Sequence, residues 1–313
     1  MNRYVRTSLV AALACTAATA FGAASRAAAS PPNVCRQTAQ TVLQGCQADA
    51  RGENLIAVAN CLNRPDTAAK KACRHAAAES FQELQQTCKE QFEARKDACV
   101  DFGPDAYAPQ IDPANFVATI DNPYFPLTPG TTFIYEGQTA GGLEHVSFAV
   151  THNTKVILGV TCVEVRDIVT IGGAVTEDTL DWFAQDTAGN VWYFGENTGE
   201  LEDGRVVNID GTFTAGIDEA KPGIIMQAHP AIGDFYRQEF SLDNAEDNAE
   251  VLSLTEAVTV PFGAFTNCLK TEETTPLSPG ALENKYYAPG VGNLLTVDLD
   301  SGDRSELKQI VTE

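Results

Sequence analysis

The chain has 313 residues, 21 Lys and Arg against 42 Asp and Glu, and a formal net charge of −21. That sign argues against nucleic acid and anionic membrane surfaces as partners. A hydrophobic content of 44% argues against wholesale disorder.

In chain order, Arg3 and Arg6 open a short basic stretch, residues 8–22 are apolar and Ala-rich, and Ala27, Ala28 and Ala29 offer small residues for cleavage. This is the pattern of a secretory signal peptide over residues 1–29, cleaved after Ala29 or nearer Ala23. Cys15 sits in Ala12-Leu13-Ala14-Cys15, a lipobox with its larger aliphatic residue one place too late. The expectation is therefore that Cys15 leaves with the leader rather than carrying a lipid. Export to a secreted or periplasmic location makes disulfides the first reading of the remaining Cys. No apolar run of the mature chain approaches the about 20 residues of a spanning helix.

Charge then divides the mature chain. Residues 35–100 hold 9 basic and 8 acidic residues, whereas residues 101–313 hold 9 basic and 34 acidic. Three Pro and a Gly in segment 101–113 mark a linker. The expected organisation is a Cys-rich helical hairpin over 30–101, a linker over 102–113 and an acidic antiparallel β domain over 114–313. The fold class is α+β.

Cys35, Cys46, Cys61, Cys73, Cys88 and Cys99 are spaced 11, 15, 12, 15 and 11 apart, a palindrome centred on residue 67. Intervals of 11 and 15 are close to three and four helical turns, so the Cys of each arm share a face. Pro65 breaks the pattern and Asp66 or Thr67 can cap a second helix. Two antiparallel helices joined there bring Cys35 opposite Cys99, Cys46 opposite Cys88 and Cys61 opposite Cys73. Disulfides need Cα atoms about 5–6 Å apart; Ala-rich flanks such as Ala48, Ala72 and Ala98 permit that approach.

From residue 131 the period changes to two. Segments 131–138, 143–151, 155–159, 160–171, 174–186, 190–196 and 205–209 alternate apolar and polar residues between Gly-rich turns. Segments 234–241, 249–260, 264–274, 282–288, 294–299 and 304–311 continue the series. Short connections at this density indicate a meander of about a dozen strands. A sandwich, a barrel and a curved sheet around a helix all remain open. Cys162 and Cys268 lie in predicted strands of an exported chain, and the expectation is that they pair.

Several phrases resemble a group of secreted bacterial proteins without assigned activity. They are the run from Ile120 to Glu136 (IDNPYFPLTPGTTFIYE), Asp178–Asp186 (DTLDWFAQD), Asn190–Glu196 (NVWYFGE), Gly223–Pro230, Val260–Phe265 and Lys285–Gly292. The likeness covers about residues 110–297 and carries no catalytic residues. The VPFGAF and YYAPGVG phrases are also loosely similar to curved-sheet periplasmic lipoprotein carriers, which implies a fold and no function.

No nucleophile elbow, zinc-protease motif, P-loop or dinucleotide fingerprint is present, so no catalytic residue is assigned. The densest chemical cluster is Asp178, Asp181, Trp182, Asp186, Trp192, Tyr193 and Glu196. Aromatic platforms beside carboxylates suit a sugar or a cationic ligand. Core aromatics with solvated acids on the other strand face would look the same. Asp181 and Trp182, being consecutive, must face opposite sides. Met226 and His229 are too few for a soft metal site, and no metal or cofactor is assigned. The acidic loops Asp243–Asn248 and Asp298–Asp303 suit weak calcium binding at most, the second reading better as a hairpin turn.

The leading function is therefore a non-enzymatic binding or cell-surface interaction role for a small-molecule, lipid or protein ligand. The alternatives are a carboxylate hydrolase acting near Asp181 and Glu196, and a calcium-binding structural protein.

Overall fold

A computed structural model describes residues 33–313; the expected signal peptide and Cys15 lie outside them. Two helices come first, α1 (Val34–Leu62) and α2 (Thr67–Phe102). Asn33 caps α1 by accepting from the Arg36 N–H, and Asp66 caps α2 by accepting from the Ala69 N–H. The three nested disulfides form as the palindrome predicts: Cys35–Cys99, Cys46–Cys88 and Cys61–Cys73, with Cα separations of 5.7, 5.7 and 5.4 Å. Apart from Arg95, the buried residues of the hairpin are Ala39, Ala50, Ala77 and three of the cystine Cys, Cys61, Cys88 and Cys99. So thin an apolar seam stabilises little by itself, and the cross-links take over the role of a core.

One 3₁₀ turn (Pro113–Asn115) leads into seventeen strands among the described residues. They are β1 (Phe116–Val117), β2 (Thr131–Thr139), β3 (Gly142–Ile157), β4 (Val160–Ile171), β5 (Ala174–Asp186) and β6 (Val191–Asn197). Next come β7 (Glu200–Glu202), β8 (Arg205–Asn208), β9 (Phe213–Thr214), β10 (Lys221–Met226), β11 (Phe235–Arg237) and β12 (Glu239–Phe240). The last five are β13 (Asn248–Val260), β14 (Gly263–Thr274), β15 (Leu282–Ala288), β16 (Gly292–Asp298) and β17 (Arg304–Thr312).

The pairings are antiparallel and run from β13 through β17, on to β2, and from there to β6. β10 then joins β6 on one side and β12 on the other, while β11 pairs with β13. The meander thus rolls into a nearly closed barrel, and of the architectures left open by the sequence the barrel is the one adopted. Its interior is a cavity walled by side chains, not a groove filled by a helix; the hairpin instead contacts β11 and the loop before β13.

The closing strand β10 escapes the alternation pattern because it carries Pro222 and Gly223, residues that ordinarily interrupt strands. Here Gly is required by proximity: a Cβ at Gly223 would stand 2.3 Å from the Gln238 carbonyl carbon. Two backbones meet side by side at the point of closure, and only a residue without a side chain fits between them.

The apolar residues sort into two layers. The larger cluster includes Phe133, Val165, Phe183, Leu269, Leu294 and Leu307. The smaller gathers Ile157, Val160, Cys162, Trp182 and Phe194, with Ile111, Phe116 and Trp192 packed against it. Segment 111–117, the end of the expected linker and the strand β1 after it, thus lies over β5 and β6.

This layering corrects the expected Cys162–Cys268 disulfide. Both are free and buried. Cys162 belongs to the smaller cluster on β4 and Cys268 to the larger on β14, and five strands intervene between β4 and β14 in the pairing order. Burial pushes the Cys162 thiol up to about 12 and Cys268 in the same direction, so neither is a reactive thiolate. Titration with a chromogenic disulfide reagent, without reductant, is expected to find no fast-reacting thiol in the native protein and two after unfolding. Zero thiols after unfolding would restore the disulfide.

Candidate functional site

The barrel encloses a cavity of about 610 Å³, within the usual range for small-molecule sites. Strand alternation builds it. On β5, Glu177, Thr179, Asp181 and Phe183 point inward; Asp167 and Val169 do so on β4, and Glu144, Val146 and Phe148 on β3. Glu273 on β14 and Glu283, Lys285 and Tyr287 on β15 face them.

The register arranges these side chains by level. Phe183 lies across from Tyr193, one inward step from the Asp181–Glu196 pair, and Glu177 lies beyond. Phe125 and Leu127, from the run before β2, close the aromatic end. Phe125 meets Phe148 and Phe183 edge-on at centroid distances of 6.4 and 5.4 Å. Phe183 stacks on Tyr193 at 4.7 Å. The result is an aromatic floor below a carboxylate wall.

Nine carboxylates line this cavity against one cation, Lys285. Lys285 is already engaged: its Nζ donates to Glu273 at 2.6 Å and lies 3.7 Å from Glu283. Burial opposes its charge, yet Glu273 and Glu283 carry its pKa above the ordinary lysine value. The opposite wall has no such partner. Burial, and then the neighbouring acids, raise Asp167 well above the usual carboxylate range. Burial raises Asp181 to about 7 even though the Tyr193 hydroxyl donates to its Oδ1 at 2.5 Å. Burial together with Asp181 and Glu177 raises Glu196 to about 8. Glu239 is pushed up well above its usual range, by burial first and then by Asp247. Two polar atoms on the lining have no hydrogen-bond partner, Oδ1 of Asp167 and Nε2 of Gln238, the latter on a side chain 3% exposed. Unpartnered buried polar atoms in a native fold call for an explanation, and a bound ligand is one.

Of the seven clustered residues singled out in the sequence, the cavity collects Asp181, Tyr193 and Glu196. The other four serve the outside. Asp178 forms a two-pronged ion pair with Arg166, at 2.9 and 2.6 Å. Trp182 is buried in the outer cluster with Lys155 Nζ 3.3 Å above its ring. Asp186 ties the β5–β6 turn, accepting from the Ala188 and Asn190 N–H groups and from Trp192 Nε1. The expected aromatic platform is therefore not the tryptophan pair; Phe183 and Tyr193 take that place. Core aromatics with solvated acids describe part of this hairpin, since Trp182 and Tyr193 are buried and Asp178 is accessible, but Asp181 turns inward.

Glu196 reaches the interior through a bulge. Tyr193 and Glu196 are three residues apart and on a regular strand would face opposite sides. The register slips between Trp182 and Phe183, and Gly195 absorbs the extra residue at φ +151°. A Cβ at Gly195 would fall 2.5 Å from the Phe213 carbonyl oxygen. The glycine inside NVWYFGE is the local signal for this bulge.

Met226 is fully buried in the core whereas His229 is exposed, so they form no joint site. Among the described residues no three His, Cys, Asp or Glu side chains stand in metal-holding geometry, and no helix is long and apolar enough to cross a membrane. Of the acidic loop 243–248, Asp243 and Glu246 are taken up by Arg95 of α2. Segment 298–303 forms the β16–β17 turn, with Asp298 Oδ1 accepting from the Asp300 and Ser301 N–H groups.

No protein-family profile matches the chain, and no curated protein sequence matches it. Among solved structures it is similar to a Parabacteroides distasonis protein described as a "putative lipoprotein", with 16% identity over 60% of this chain and 97% of that one and a TM-score of 0.33.

Proposed function

We propose that this is an exported binding protein whose barrel takes a small ligand with a positively charged amino group and an apolar body. The observation that carries the reading is the lining itself: nine carboxylates, one neutralised lysine and an aromatic floor in a cavity of about 610 Å³. A cation entering this space supplies the charge that the Asp181–Glu196 wall lacks, and aromatic faces below it favour an organic cation over a bare ion. Three disulfides fit an oxidising compartment, and with the leader-like residues 1–29 they support export.

A carboxylate hydrolase would use the same Asp181 and Glu196. Such enzymes hold one carboxyl protonated and its partner ionised at the same pH, their environments driving the two apart. Here burial drives both upward, to about 7 and about 8, with no standing division into acid and base, while the charge and rings of the lining fit a bound cation.

The test is calorimetric titration with phenethylamine at pH 6 and pH 8, each in two buffers of different ionisation enthalpy. Tighter binding at pH 8 is expected, because Asp181 and Glu196 must ionise to face the ammonium. Binding at pH 7 should release protons to the buffer. Calcium is titrated in parallel as the inorganic cation. Affinity that is flat with pH and free of proton release, or calcium binding with no response to the amine, would overturn the reading.

A further inference from the structure

We propose a second binding site, independent of the barrel cavity: a pocket for a small oxyanion, a carboxylate or phosphate group, held by Arg237 and Arg95 where the helical hairpin meets the barrel. The pocket measures about 290 Å³ and lies between both helices, the segment after α2, and strands β10 to β12. Only 9 basic residues stand among the 34 acidic ones of residues 101–313. Two of them, Lys221 and Arg237, meet Arg95 of α2 at this place.

Two buried donors there, one on each arginine, lack an acceptor although four carboxylates line the pocket. Arg95 is 4% exposed; its Nε and Nη2 are held by Glu246, but Nη1 is buried without a partner. Arg237 is held by rings instead of acids. Its guanidinium carbon lies 3.9 Å from the Phe102 centroid, 5.0 Å from Phe240 and 5.5 Å from Tyr107. Its Nε has no partner, and it enters no ion pair among the described residues. Lys221 Nζ donates to the Tyr107 carbonyl at 2.5 Å, which positions a third cation beside the pocket. No nearby carboxylate hydrogen-bonds these donors: Glu246 acts on Arg237 through its charge alone, its oxygens being taken by Arg95, and Asp105, Asp218 and Glu219 are exposed at the rim.

Buried guanidinium N–H groups without acceptors are costly. An oxyanion is the complementary group, since two of its oxygens can accept from the fixed fork of an arginine. The aromatic rings around Arg237 preset that fork and exclude water from its faces, so little ordering remains for binding to impose.

The experiment is calorimetric titration of the whole mature protein with inorganic phosphate, benzoate and chloride at constant ionic strength. Saturable millimolar binding of phosphate or benzoate, without a chloride response, is expected. Phosphate alone assigns a phosphate group, benzoate alone a carboxylate, and both together a general oxyanion site. Arg237→Gln should weaken it at least tenfold, and Lys221→Met provides a second variant if the first fails to fold by circular dichroism. Glu196→Gln, inside the barrel, should leave it unchanged. No binding of either oxyanion, an equal chloride response, or wild-type affinity in both seam variants would overturn the proposal.

Discussion

Replacing Asp181 by Asn and Glu196 by Gln together will make the protein more stable at pH 8 and, on the proposed binding role, will remove affinity for organic cations. The sign follows from linkage. In the unfolded chain the two side chains titrate near their ordinary values of 3.8 and 4.5; in the barrel they titrate near 7 and 8, chiefly because burial disfavours their charge. Between those limits the native state keeps protons that the unfolded state has lost. Stability therefore falls as pH rises through that window, and is fully present only below it. A displacement of one pH unit corresponds to about 1.4 kcal/mol, so displacements of roughly three pH units in each acid withhold several kcal/mol at pH 8.

The amide pair has nothing to ionise. Asn at 181 still offers an oxygen to the Tyr193 hydroxyl, so the packing is kept. Urea unfolding should show a higher midpoint for the double variant at pH 8 and coincident curves near pH 4. An equal gain at both pH values would sink the account, because it would mean that packing and not ionisation is responsible. Phenethylamine affinity should drop at least tenfold in the same variant, since the amides cannot take on the negative charge an ammonium requires. On the proposed binding role, the acids that would take the ligand also destabilise the empty fold, a recurrent trade between function and stability.

How much of this was legible beforehand depends on the range of the interaction. The Cys intervals report a local period, so helix faces and the nested pairing follow from arithmetic on six positions. Alternation likewise marks most of the long strands, because a strand buried on one face has to alternate. Three things resisted. Strand β10 is hidden by Pro222 and Gly223, which are there for a close backbone approach that only the closed barrel creates. Glu196 faces inward through a bulge at Gly195, which shifts the face of every residue after it. Cys162 and Cys268 read alike in sequence but sit in different layers, and nothing local separates an inner from an outer layer. At the site, local reasoning reached Asp181, Tyr193 and Glu196 as a cluster, though not the inward turn of Glu196. Asp167, Glu239, Glu273 and Lys285 were not, because they converge only when distant strands close around one space.

The same limit of range hides the contact that fixes the hairpin to the barrel, and there a large effect is expected. Arg95 is 4% exposed and Glu246 2%, 151 residues apart in the chain. Arg95 Nε and Nη2 both donate to Glu246 Oε1, at 3.1 and 2.7 Å; the Asp243 N–H adds a third donor at 2.7 Å. Truncating one partner leaves the other buried, charged and unmatched. Arg95→Met should therefore cost about 3–5 kcal/mol. Replacing both charges removes the desolvation that each imposes on the other, so Arg95→Met with Glu246→Met should recover most of that loss. Each singly replaced protein and the double form a cycle that urea unfolding can close, with strong non-additivity as the expected result. If the two single losses simply add, the pair is not coupled and the hairpin is held by its ring contacts instead, such as Phe102 against Phe235 at 4.7 Å. Because the three disulfides keep the hairpin covalently closed, protease cleavage in segment 103–112 reports undocking without unfolding of either part. That cleavage should accelerate in Arg95→Met and return toward the wild-type rate in the double variant.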